Sequence, residues 1–161
     1  MSSVSLQPGD IAPNISLPRD GGTTVTLTDL RGQPVVIFFY AEDGTPSCTN
    51  EVKSFSALAT EFAALDTALF GLSRDPVAKH DRFIAKHGLQ VALLSDVAGT
   101  AADAFGFWVE KQMYGRTYMG MERSTVLIGA DGRIVQIWRS IRVKGHADVV
   151  LAAAQALAAK A

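Results

Sequence analysis

Hydrophobic positions along the chain fall into runs of two kinds, continuous and helically spaced. Pro34-Val35-Val36-Ile37-Phe38-Phe39-Tyr40 is continuous, β-branched and aromatic. Such a run suits a strand covered on both faces and is too short for a typical helix. Thr67-Ala68-Leu69-Phe70-Gly71-Leu72-Ser73 and Gln90-Val91-Ala92-Leu93-Leu94 predict two further buried strands. Between them the period changes. From Cys48 to Leu65, residues Val52, Phe55, Leu58, Ala59 and Phe62 share one helical face. Pro76 and Gly88 bracket a second helix in the positions that cap preferences favour. Ala101 to Phe105 predicts a short helix, and Ala147 to Ala159 an alanine- and leucine-rich final one. Ser124–Ile128 and Ile134–Trp138 flank Ala130-Asp131-Gly132-Arg133, whose Asp-Gly favours a hairpin turn. The first 33 residues are rich in Gly, Pro, Asp and Thr and predict a hairpin around Asp20-Gly21-Gly22. The order implies an α/β fold: a central mixed β-sheet with helices on both faces and an N-terminal β-hairpin extension.

Length and composition narrow the function classes. The 161 residues correspond to one domain at roughly 100–200 residues per domain. Fifteen basic residues face sixteen acidic ones, a net charge of −1, which lacks the basic footprint of a nucleic-acid binder. No run of 18 apolar residues is present, so no membrane span is expected. The single cysteine, Cys48, excludes an internal disulfide, a multi-cysteine zinc site and a cysteine-ligated iron–sulfur cluster. Met1 to Leu6 lacks the basic start and apolar run of a secretory signal. The expectation is therefore a reduced, cytoplasmic location.

Cys48 falls in the first turn of a helix that follows a buried strand. Backbone N–H groups there have no intrahelical partner, and the helix dipole adds partial positive charge. Such sites lower a cysteine pKa from about 8.5 into the range of roughly 3.5–7.5. The alternative is a cysteine packed as a small hydrophobe. Thr45, three residues earlier, offers a hydroxyl that either caps the helix or faces a reacting group beside the sulfur. Glu51, three residues later, either tethers the loop or orients a cation. Ordinary helix-start chemistry accounts for both residues equally well.

The segment Phe38-Phe39-Tyr40-Ala41-Glu42-Asp43-Gly44-Thr45-Pro46-Ser47-Cys48-Thr49-Asn50-Glu51 resembles the active-site segment of peroxiredoxins, of the bacterioferritin comigratory protein or peroxiredoxin Q branch. The stretch from Met113 to Thr125 is similar to a second signature of that branch. Trp138-Arg139 and Val143-Lys144-Gly145-His146 resemble its C-terminal section. The resemblance implies a thioredoxin-like fold and a thiol peroxidase with no cofactor or metal. It aligns Cys48 with the peroxidatic cysteine, Thr45 with the threonine beside it and Arg123 with the active-site arginine. Two departures stand out. Ala41 occupies the position of the family's usual proline, and Lys53 stands where many relatives carry a resolving cysteine. No cysteine lies between residues 76 and 87 either, the other family location. The resemblance thus implies a one-cysteine enzyme acting on hydrogen peroxide and small organic hydroperoxides. Its reductant would be external: thioredoxin, glutaredoxin or a low-molecular-weight thiol. A monomer is expected, with a dimer as the alternative. The competing functional reading is a peroxide sensor or redox-regulated binding domain.

Three histidines invite a cysteine–histidine hydrolase reading. His80 and His87 fall on the predicted second helix and His146 just before the last, where exposed or capping roles are expected. No histidine–carboxylate spacing predicts a metal site. Trp108, Tyr114 and Tyr118 are read as a glycine-containing loop that either walls the site or serves packing.

Overall fold

A computed structural model describes residues 6–160; the reading of the first five residues as free of a secretory signal lies outside them. Two short strands, β1 (Ser16–Pro18) and β2 (Thr24–Thr26), pair antiparallel around the expected glycine turn. β3 (Val35–Phe39) then enters the core with every residue buried. It leads through residues 40–45 into α1 (Pro46–Ala57), which is followed by the short α2 (Ala59–Ala64). The single helix expected from Cys48 to Leu65 is thus interrupted at Leu58, a position no Pro or Gly marks. β4 (Ala68–Ser73), α3 (Val77–His87) and β5 (Ala92–Ser95) follow. Pro76 caps α3 at its start, and Gly88 ends it in the left-handed conformation at φ 60°, as the bracketing residues predicted.

After α4 (Thr100–Ala104) the chain differs from expectation. Trp108, Tyr114 and Tyr118 belong to a hairpin of β6 (Trp108–Met113) and β7 (Arg116–Met121), paired only with each other. Most of its residues are at least partly exposed, so neither face carries the apolar alternation that identifies a half-buried strand. β8 (Ser124–Ile128), β9 (Ile134–Trp138) and α5 (His146–Ala159) complete the order.

The five-stranded sheet runs β5-β4-β3-β8-β9. β3, β4 and β5 are parallel neighbours, whereas β8 pairs antiparallel with both β3 and β9, which makes the sheet mixed. Alternation along β3 divides the core. Val36, Phe38 and Tyr40 point to the face covered by Val52 and Phe55 of α1, Phe62 of α2, Phe83 of α3 and Val150 of α5. Ile37 and Phe39 point to the opposite face, with Ala101, Ala102, Phe105 and Phe107. Helices do cover both faces, unequally. Parallel sheets place ligand sites at the carboxyl ends of their strands. Here those ends are Phe39, Ser73 and Ser95.

Candidate active site

The loop after β3 delivers Cys48 to the carboxyl end of the sheet. Thr45 is the residue before α1, extended at φ −71° and ψ 148°, and Pro46 takes the first helical position, which needs no N–H. The helical ladder opens with the Thr49 N–H donating to the Thr45 carbonyl at 2.8 Å. The Ser47 and Cys48 N–H groups precede that ladder and lie at the positive end of the helix. Cys48 is 1% exposed. The Thr45 hydroxyl donates to the Glu42 carbonyl at 3.3 Å and caps nothing in α1, so the capping alternative is excluded.

Arg123 reaches this helix start from 75 residues away because of strand register. β8 runs antiparallel to β3 with Ser124 opposite Phe39, so Arg123 sits beside the loop that leaves β3. Its Nη2 lies 3.4 Å from Cys48 Sγ and donates to Ser47 Oγ at 3.0 Å; its Nη1 donates to Glu51 Oε1 at 2.6 Å. Burial works against the guanidinium's charge, but the Glu51 and Cys48 groups outweigh it, and its pKa is raised. Glu51 is 1% exposed, and its Oε2 has no hydrogen-bond partner among the described residues. Burial pushes its carboxyl up to about 7, against the pull of Arg123. The cation beside Glu51 is Arg123. Ser47 is a contact that sequence reasoning missed; nothing in its type or spacing distinguishes it from an ordinary helix-start serine.

Behind the loop lies a second group of polar side chains. His80 and His146 are corrections to the expected exposed or capping roles, since they are 0% and 5% exposed. His80 Nδ1 lies 2.6 Å from Asp43 Oδ2, and its Nε2 lies 3.0 Å from the Leu94 carbonyl. His146 begins α5, with its Nε2 2.8 Å from Thr125 Oγ1. Burial lowers its pKa to about 4. The signal for His80 was available: it lies three residues before the buried Phe83, on the apolar face of α3. Asp43, Asp75 and His80 bring ligand-type atoms within 4.8 Å of one another. These atoms pair with Tyr40, Ser73, Lys79 and each other. Tyr114 stands at the tip of the β6–β7 hairpin, 97% exposed, and walls nothing; Trp108 lies under the Arg74 guanidinium at 4.6 Å. Lys53 is exposed on α1.

A lone buried thiol at a helix start, facing an arginine across the carboxyl end of a five-stranded mixed sheet, defines a thioredoxin-like protein of one-cysteine type. The AhpC/TSA family model matches residues 8–137, and the chain belongs to that family. It is 45% identical over 143 residues to peroxiredoxin Bcp of Xanthomonas campestris, covering 89% of each chain. It is 41% identical over 143 residues to peroxiredoxin Bcp of Bacillus subtilis, covering 89% of this chain and 91% of the relative. It also superposes on a structure concerned with the alkyl peroxide reduction activity of X. campestris bacterioferritin comigratory protein. The TM-score is 0.87 at 41% identity, over 98% of this chain and 99% of the other. The fold is that of thioredoxin-like peroxiredoxins, and the protein is a thiol peroxidase.

Proposed function

We propose that Cys48 is the peroxidatic residue and that Thr45, Arg123 and the Cys48 backbone N–H activate the peroxide. The Cys48 thiolate attacks the terminal oxygen of ROOH; the S–O bond forms as the O–O bond breaks. The sulfur is oxidised by two electrons to sulfenic acid, and RO⁻ takes up a proton and leaves as ROH or water. Ionising the thiol fully gains about 30-fold at pH 7 at most, from a reference pKa of about 8.5. Nucleophilicity falls with pKa, which erodes that gain. Most of the acceleration must therefore come from donors aimed at the oxygens, each worth on the order of 10²–10³ in rate in comparable sites. The observation that carries this reading is the Arg123 fork, which meets Cys48 Sγ, Ser47 and Glu51 together.

The substrates proposed are hydrogen peroxide and small organic hydroperoxides, the latter in keeping with the alkyl peroxide reduction of the X. campestris relative. With one cysteine in the chain, the sulfenic acid is reduced from outside. One external thiol forms a mixed disulfide with Cys48 and releases water; a second thiol, or the partner cysteine of a thioredoxin or glutaredoxin, then frees Cys48. A reducing cytoplasm supplies such thiols, and a monomer suffices for every step. Among the described residues no helix is long and apolar enough to cross a membrane.

The test is stopped-flow tryptophan fluorescence during oxidation by a small excess of hydrogen peroxide, with the product trapped as sulfenic acid and weighed. The expected result is oxidation far faster than that of a free thiol, abolished in Cys48→Ser. Oxidation at the free-thiol rate overturns the proposal. Sustained peroxide consumption with dithiothreitol marks an enzyme, whereas consumption of one equivalent marks a sensor.

A further inference from the structure

We propose that Asp43 and His80 form a buried positioning pair that fixes loop 41–45 and thereby sets Thr45 against Cys48 for reaction with peroxide, an inference that rests on the peroxidase reading above. Asp43 stands five residues before Cys48 and two before Thr45, yet among the described residues none of its hydrogen bonds is to α1. Its Oδ1 accepts from the Tyr40 hydroxyl at 2.5 Å, its Oδ2 meets His80 Nδ1 at 2.6 Å, and its backbone N–H donates to Asp75 Oδ2 at 2.7 Å. Asp75 is itself held by the Ser73 hydroxyl at 2.6 Å and the Lys79 ammonium at 3.0 Å. Lys79 also reaches Glu42, whose carbonyl takes the Thr45 hydroxyl. Glu42 and Asp43, the two residues before the loop's turn at Gly44, are thus tied to α3 and the segment that precedes it, and Thr45 is tied to Glu42.

The hydrogen-bond inventory shows why this tie is specific. His80 Nε2 faces a carbonyl, so it carries hydrogen. A further proton lies on the line between Nδ1 and Asp43 Oδ2, whichever atom holds it, because two bare acceptors would repel at 2.6 Å. Every polar atom of both side chains is then satisfied, and both side chains are buried, where a half-satisfied network is strongly unfavourable. The arrangement has one geometry, and the loop inherits it. The preorganisation matters for peroxide in particular. Displacement of a simple alkyl halide needs only the sulfur, whereas O–O cleavage also needs the Thr45 and Arg123 donors in register with the oxygens. A misplacement of about 1 Å can cost on the order of 10² in rate.

Two rates on the same thiol separate positioning from mere stability: oxidation by hydrogen peroxide and alkylation by iodoacetamide. Asp43→Leu keeps a side chain of similar size and removes both oxygens that Tyr40 and His80 share. It is expected to slow peroxide oxidation at least about tenfold while alkylation stays within about twofold. Tyr40→Phe, which removes one hydroxyl and keeps the ring's packing, is expected to move the same ratio in the same direction by a smaller factor. It decides the question if Asp43→Leu does not fold. Asp43→Leu combined with His80→Gln is expected to be no slower than Asp43→Leu alone, as for two members of one unit. Equal falls in both rates, unchanged rates in the folded variants, or additive losses overturn the pair. A wild-type protein oxidised no faster than a free thiol overturns the peroxidase reading itself, before any variant is compared.

Discussion

At the scale of single residues, the proposed chemistry depends on a fork. Arg123 serves three partners from two nitrogens, at 2.6 Å to Glu51, 3.0 Å to Ser47 and 3.4 Å to Cys48. A lysine offers one point charge on a flexible stem and cannot reproduce that geometry. Arg123→Lys is therefore expected to oxidise at least about tenfold more slowly than wild type, close to Arg123→Ala, and within the range found for lost oxyanion donors. Wild-type rates in Arg123→Lys would reduce the arginine to a source of charge. Thr45→Val keeps the side-chain shape and removes the hydroxyl; a fall of at least about tenfold at unchanged melting temperature is expected. Retained rates would remove Thr45 from the peroxide site. Cys48, Thr45, Glu51 and Arg123 were legible in the sequence because short local motifs carry them. Ser47, Tyr40, Asp43 and His80 were not, since their roles are tertiary. Asp43 and His80 are separated by 37 residues, and only the packing of α3 over β4 and β5 brings them together.

At the scale of elements, the position of α1 is set by close packing. Gly71 in β4 sits opposite Phe38, and a Cβ built there would lie 2.8 Å from both the Phe38 ring and Leu93 Cδ2. Phe38 has no room to yield, because its ring stacks on Phe55 of α1 at 4.2 Å and 4°. Gly71→Ala is thus an overpacking change, expected to destabilise by about 1–3 kcal/mol. The strain would pass through Phe55 into the helix that begins at Cys48. A thermal melt and the Cys48 oxidation rate check the two effects, and unchanged values of both would mean that the sheet relaxes around the methyl. The same packing explains which elements the sequence pattern revealed. Strands buried on both faces write continuous apolar runs, and α3 writes its caps. The β6–β7 hairpin writes neither, because Glu110, Gln112, Arg116 and Thr117 are exposed while Trp108 and Met121 at its base pack against the core. The break at Leu58 left no trace, since both halves of the helix bury residues of one apolar face.

At the scale of the whole molecule, two buried groups link folding to protons in opposite directions. Glu51 is raised by burial from 4.5 to about 7, so the folded protein binds its proton more tightly than the unfolded chain. Its contribution to stability is fully present below about pH 4.5 and is lost as pH rises towards 7. His146 is lowered by burial from 6.5 to about 4, so the unfolded chain binds that proton more tightly. Its contribution is present above about pH 6.5 and is lost as pH falls towards 4. The two windows overlap between about pH 4.5 and 6.5. Across that window the two slopes nearly cancel, and each variant is expected to unmask the other group. In His146→Gln, unfolding free energy by urea titration should fall with rising pH relative to wild type. In Glu51→Gln it should rise instead. Parallel curves for wild type and both variants would show that neither side chain is the linked group. The cancellation concerns net stability and not the site, because the folded Glu51 takes up its proton near pH 7 and acidification below that value removes the charge that faces Arg123.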